Sequence, residues 1–212
     1  MAYIWIMMNL HIWSVRSPFD DPGLASAAIG ALTRADAMGL LLSPVTCLDE
    51  SAIEGLETGM AEAGIGRSFL AELHRMPCSD VARLSTLLEK ISEALDQSPA
   101  PAHEWRTLQG VLGVELLTRL LGISGSSARR YISGSRSTPD AIAARLHFLA
   151  FVAGDVAGAY NDIGVRRWFD RPRERLDGNT PAQTLGDEWS PEDDGPRRVR
   201  ELARALTSSP AT

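Results

Sequence analysis

The stretch that most restricts how this chain folds runs from residue 114 to residue 139, VELLTRLLGISGSSARRYISGSRSTP. Leu116, Leu117, Leu120 and Leu121 form one apolar stripe at helical spacing. Gly122 comes directly after it, the residue type that ends a helix in the left-handed conformation without a Cβ penalty. Ile123 then plugs the turn, and Ser124 is placed to cap a second helix by accepting a backbone N–H, with Gly125, Ser126 and Ser127 in its first turn. Ala128 is small where two helices must approach, while Tyr131 and Ile132 return apolar surface to the core. The spacing therefore predicts two short helices joined by a tight turn, the geometry that seats a second helix in the major groove of DNA.

The charge distribution agrees with that expectation. The net charge is −6, but residues 1–99 carry 13 acidic against 6 basic side chains, residues 100–175 carry 7 against 11, and residues 176–212 carry 7 against 4. A polyanion would meet the middle segment, because only a locally basic surface releases counterions from phosphates. On the second helix Ser126, Arg129 and Arg130 fall on the exposed face with Ser124, Gly125 and Ser127 at its start. Arginine forks onto guanine O6 and N7 and serine serves donor or acceptor edges, so these residues are the candidate base readers. Arg136 after the helix and Arg119 on the preceding one are the candidate phosphate contacts, which position a protein without reading sequence.

Around this unit the pattern is helical, and the predicted fold class is mainly α. The turn cluster over 16–23, with Ser17-Pro18 and Asp20-Asp21-Pro22-Gly23, ends an apolar opening segment that reads as a buried strand or an interface. That opening run of 13 residues is too short to span a bilayer and has no basic n-region, so neither a membrane span nor a signal peptide is expected. Helices are expected over 24–42, stopped by Ser43-Pro44, over 52–63, stopped by Gly64-Ile65-Gly66, around 69–76, and over 79–95. No period-2 strand is apparent after residue 15. Asp96-Gln97-Ser98-Pro99-Ala100-Pro101 reads as a linker, making 1–99 an acidic, mostly helical domain of its own. Beyond it a weak helix over 104–112 precedes the two-helix unit, and Pro139-Asp140 starts a long helix reaching about residue 161. Its Phe148, Leu149, Phe151, Val152 and Val156 offer surface for a core and for a dimer contact.

Chemistry-bearing motifs are sparse, and no enzyme activity or cofactor is expected. Cys47 and Cys78 stand 31 apart with no histidine at ligand spacing, and His11, His74, His103 and His147 are scattered; no metal site is indicated. Gly59 to Gly66 gives only a GxxxxGxG pattern, without a preceding strand or a Lys-Ser/Thr, so a phosphate loop is not expected there.

The residues from Leu117 to Pro139 resemble the helix-turn-helix of Xre/Cro-type repressors. The segment beyond Pro139 resembles the C-terminal domain of the MbcA/ParS/Xre antitoxins, carried by Ala144-Arg145-Leu146, by Trp168-Phe169-Asp170-Arg171-Pro172, and by Leu176-Asp177-Gly178-Asn179-Thr180-Pro181-Ala182-Gln183-Thr184-Leu185. The family pattern places two glycines where this chain has Asp177-Gly178. The similarity covers about residues 104–206 and leaves 1–99 unexplained. It implies a DNA-binding region over 104–139 and a toxin-binding and dimerisation region over 140–206; the composition of 207–212 reads separately as a flexible polar tail. The partners it implies are a double-stranded DNA operator, a cognate toxin of the NAD-degrading RES type, and a second copy of the chain, all in the cytoplasm. Trp168, Arg171, Leu176, Gly178, Thr180, Pro181 and Leu185 are then the candidate toxin-binding residues. Two other readings remain open at this point: a stand-alone regulator whose N-terminal domain senses a small molecule, and an interaction module that does not bind DNA.

Overall fold

The computed structural model describes residues 9–76 and 80–208. It is mainly α, and the described residues divide into two compact units, 9–99 and 100–208.

The first unit runs β1 (Leu10–Val15), α1 (Pro22–Ala37), β2 (Val45–Leu48), α2 (Glu50–Ala63), α3 (Arg67–Leu73) and α4 (Val81–Asp96). Its centre is α1 against α4. Ala27, Ala28, Ala31 and Ala35 give α1 a face of small side chains, on which Leu84, Leu88, Ile91 and Leu95 of α4 pack at the period of 3.6. Arg34 closes one end by an ion pair to Asp96 at 3.0 Å. Gly59 of α2 faces the Leu40 carbonyl so closely that a Cβ would lie 1.9 Å from its oxygen. Any larger side chain there would push α2 off the segment after α1.

Two expectations for this unit are corrected. The helix expected to continue to residue 42 ends at Ala37, because Gly39 takes φ 74° and turns the chain. Residues released by that turn form β2, which pairs parallel with β1 in the register Leu10↔Val45, Ser14↔Cys47 and Val15↔Leu48, with an irregularity between the first two pairs. Four residues are too few for alternation to show in sequence, and the pairing depends on a strand some thirty residues away. The described part of the opening segment is a strand but not a buried one, since Trp13 is 83% exposed and Val15 47%. Residues 1–8 and Cys78 lie outside the described residues.

Asp36 ties the start of β1 to the end of α1, its carboxylate accepting from the Asn9 and Leu10 amides at 2.7 and 3.3 Å. Burial raises its pKa above the ordinary carboxylate range, outweighing those two hydrogen bonds and the charge of His11. The native state therefore holds this proton more tightly than the unfolded chain. Its stabilising contribution is greatest below the unfolded-state pKa and is lost as pH rises through the higher native one. We expect Asp36→Asn to gain relative to wild type as pH increases across that window. Urea unfolding of both proteins from pH 4 to pH 7 measures it; a pH-independent difference would contradict the assignment.

The second unit contains α5 (Pro101–Leu121), α6 (Gly125–Ile132), α7 (Asp140–Ala157), α8 (Asp162–Phe169), α9 (Pro181–Leu185) and α10 (Asp194–Ser208), with a 3-10 turn at Glu174–Leu176. Gly113, at φ 75° and ψ 156°, breaks α5 into two helices, so 101–112 and 114–121 are separate rods in one run. The helix expected to reach residue 161 instead ends at Ala157, and Asn161 caps α8 by accepting from the Gly164 amide at 3.0 Å. Around α7, whose Leu146, Leu149 and Val152 are fully buried, pack α5, α8 and α10. A buried polar link crosses this core: His147 Nδ1 lies 2.5 Å from Glu104 Oε1. α10 continues to Ser208, past the start expected for the polar tail; the rest of that tail lies outside the described residues. No helix among the described residues is long and apolar enough to cross a membrane.

Candidate nucleic-acid interface

The second rod of α5 ends as its sequence dictates. Gly122 sits at φ 66° and ψ 34°, and its own N–H and that of Ile123 bond back to Arg119 and Thr118 carbonyls at 3.2 and 3.1 Å. Ser124 is extended at φ −73° and ψ 148°, and its Oγ accepts from the Ser127 amide at 3.2 Å, starting α6. Such a cap stabilises a helix by about 1 kcal/mol. Ala128 is fully buried where α6 meets α5, and Tyr131 stacks on Trp105 with ring centroids 6.0 Å apart. The Trp105 indole N–H donates to Thr138 Oγ1 at 3.0 Å, tying down the loop that leaves α6.

With those residues turned inward, Ser124, Gly125, Ser126, Arg129 and Arg130 are exposed and Ser127 is half-buried. Arg129 Nε donates to the Gly125 carbonyl at 3.2 Å, which lays that side chain along the helix. The Arg130 side chain has no partner among the described residues. Its backbone carbonyl, by contrast, accepts from Ser133 Oγ, Ser135 Oγ and the Arg136 amide, which closes the C-terminal end of α6. The Arg136 guanidinium lies over the Tyr131 ring, 5.9 Å from its centroid. From residue 116 to residue 139 there is no Asp or Glu at all. In a chain of net charge −6 this leaves the 116–139 segment with basic side chains as its only charges.

The Arg119 guanidinium donates to Asp170 at 2.6 Å, bridging α5 to the end of α8, while its side chain stays 55% exposed.

The block expected to face a protein partner is mostly interior. Trp168 and Leu176 are each 1% exposed, Leu185 is 4% exposed, and Pro181 is buried. A direct contact cannot use side chains already covered by their own unit, so these four hold the shape of the block. Apolar residue types in a motif invite either reading; burial decides between them. Arg171 and Gly178 are exposed and Thr180 half-buried. Thr180 forms a reciprocal capping box with Gln183, at 3.1 and 2.9 Å. Asp177 takes φ 57° ahead of Gly178 at φ 80°, so two successive left-handed residues make this turn. Asp is among the few side chains that tolerate that region.

Sequence reasoning gave no role to the segment that supports the turn from behind. Trp189 is 4% exposed and its indole N–H donates to the Leu120 carbonyl at 2.9 Å. Arg145 reaches from α7 to three carbonyls, Trp189 at 2.5 Å, Leu121 at 3.1 Å and Asp187 at 3.4 Å. Together they satisfy the last carbonyls of α5, which the helix itself leaves unpaired. The only signal in the sequence was a tryptophan in an otherwise polar loop.

No family model fits the chain, and no curated protein and no solved structure shows significant similarity to it. Among the described residues no group of three or more His, Cys, Asp or Glu is placed to hold a metal ion.

Proposed function

We propose that this chain is a DNA-binding transcriptional regulator that serves as the antitoxin of a type II toxin–antitoxin pair. It binds its own operator as a homodimer in the cytoplasm and neutralises a cognate RES-like toxin by direct contact. The observation that carries the DNA-binding half is α6: a capped helix, fixed to its predecessor by a tight turn, whose exposed face and cap offer two arginines, two serines and a glycine and no acid. A helix so presented fits the major groove with its N-terminal residues toward base edges. The antitoxin half rests on the resemblance of residues 144–185 to that family's C-terminal domain.

Arg129→Ala and Arg130→Ala are each expected to weaken specific binding by roughly 1–3 kcal/mol, while Arg136→Ala weakens binding to all sequences alike. Mobility-shift titrations on the DNA upstream of the gene, against a scrambled duplex, read both effects. Wild-type affinity in the double arginine variant would remove α6 from the groove. Co-expression of the full chain with the adjacent toxin should restore growth, and residues 1–99 alone should not. Rescue by those residues alone would move the toxin contact to the first unit.

A further inference from the structure

The break at Gly113 opens a cleft of about 770 Å³ between residues 112–119 and the α8 wall. Four arginines line it, Arg119, Arg166, Arg167 and Arg171, against two acids, Glu115 and Asp170. Two of the four are engaged in joining the walls. Arg119 holds Asp170, and Arg166 donates to the Val111 and Gly110 carbonyls at 2.7 and 2.9 Å, capping the first rod of α5 where it stops. Arg167 and Arg171 are exposed and have no partner among the described residues. The helix that restarts at Val114 contributes its first turn to the same cleft, adding the positive end of its dipole.

We propose that this cleft binds a phosphate group, and that the group it takes is a backbone phosphodiester of the duplex whose groove receives α6. The second clause rests on the DNA-binding reading above. Guanidinium forks match phosphate oxygens bidentately, and the Arg119–Asp170 and Arg166–carbonyl contacts fix the two walls relative to each other before any ligand arrives. The spacing suits a duplex. An eight-residue helix from 114 to 121 is about 12 Å long, and the major groove is about 12 Å wide. A phosphate at the Gly113 end of the cleft thus lies about one groove width from the turn that starts α6, where the first helix of such a pair crosses the backbone. Residues nominated for a protein partner and for DNA, Arg171 and Arg119, meet in this one place.

The test uses the full chain, wild type and the double variant Arg167→Gln with Arg171→Gln. Both side chains are exposed, so an unchanged thermal melt is expected; Arg171→Lys, which keeps the charge, serves as the conservative variant. Inorganic phosphate should shift the Gly113 and Val114 amide resonances saturably in wild type and in Arg171→Lys, and not in the double variant. Absence of a saturable shift in wild type overturns the cleft as an anion site, whatever α6 does. On upstream and scrambled duplexes, titrated from 50 to 200 mM salt, the double variant should lose about 1 from the salt slope for each phosphate contact removed, with the specificity ratio unchanged. If the slope stays at the wild-type value while Arg130→Ala still lowers the specificity ratio, the backbone assignment falls and the α6 reading stands. Phosphate binding by a wild type that binds neither duplex, or displacement of phosphate by an acidic peptide with an unaltered DNA slope, overturns the DNA assignment.

Discussion

Trp189→Ala is expected to destabilise the second unit by about 3–5 kcal/mol, the range for removing a buried tryptophan. The cost has two parts that a second variant separates. The ring packs edge-on against Phe148, centroids 5.1 Å apart, and carries the Arg145 guanidinium 5.6 Å from its own centroid. Its N–H also satisfies the Leu120 carbonyl. Trp189→Phe keeps part of the ring contact but leaves the buried Leu120 carbonyl without its donor, so a smaller loss of about 1–3 kcal/mol is expected from it. Because Trp189 supports the turn from behind, the alanine variant should also speed amide exchange over residues 114–132 more than over the first unit. Urea unfolding together with hydrogen exchange gives both readings. A loss below about 1 kcal/mol for Trp189→Ala, with exchange in α6 unchanged, would show that the turn stands without its support.

Gly122→Val should cost more than about 3 kcal/mol, because two penalties that usually occur separately coincide at this position. A left-handed conformation costs an ordinary residue roughly 1–2 kcal/mol, and a β-branched one is the least tolerant. Beyond that, a Cβ on Gly122 would lie 2.0 Å from the Asp187 carbonyl oxygen, a backbone atom that cannot rotate away. Gly113→Val serves as the comparison. Gly113 also has positive φ, at ψ 156° in a region essentially confined to glycine, but nothing lies within 4 Å of its added Cβ, so only a conformational penalty of about 1–3 kcal/mol applies. Thermal unfolding of the two variants should rank Gly122 well below Gly113. Equal losses would mean that the contact with Asp187 yields easily.

These two residues also show how far sequence reading reaches. Gly122 was legible as a helix terminator and Ser124 as a cap because both act within a few residues of themselves, through φ and through a side-chain to backbone hydrogen bond. Nothing local says that Gly122 must also clear Asp187, or that Trp189 supplies the missing donor for Leu120. The same division holds elsewhere. Gly39, which turns the chain after α1, acts locally and could have been read. β2 could not, since a four-residue strand exists only through its pairing with β1. Arg119 and Arg171 are both arginines near helix ends, yet one is paired with Asp170 and the other has no partner among the described residues, a distinction that depends on where α8 comes to rest.

Taken alone, the sequence determined the helical class, the two-helix unit with its turn at 122–124, and the cationic, acid-free face of α6. Each is set by periodicity, capping chemistry or charge, quantities fixed by neighbours along the chain. Tertiary structure alone decided which nominated residues stay accessible. Burial takes Trp168, Leu176, Pro181 and Leu185 into the core, Asp170 pairs with a still-exposed Arg119, and the packing of α8 against the restart at Val114 sets Arg167 and Arg171 along one cleft. Exposure and pairing are properties of segments brought together from 50 or more residues apart, and no local pattern encodes them.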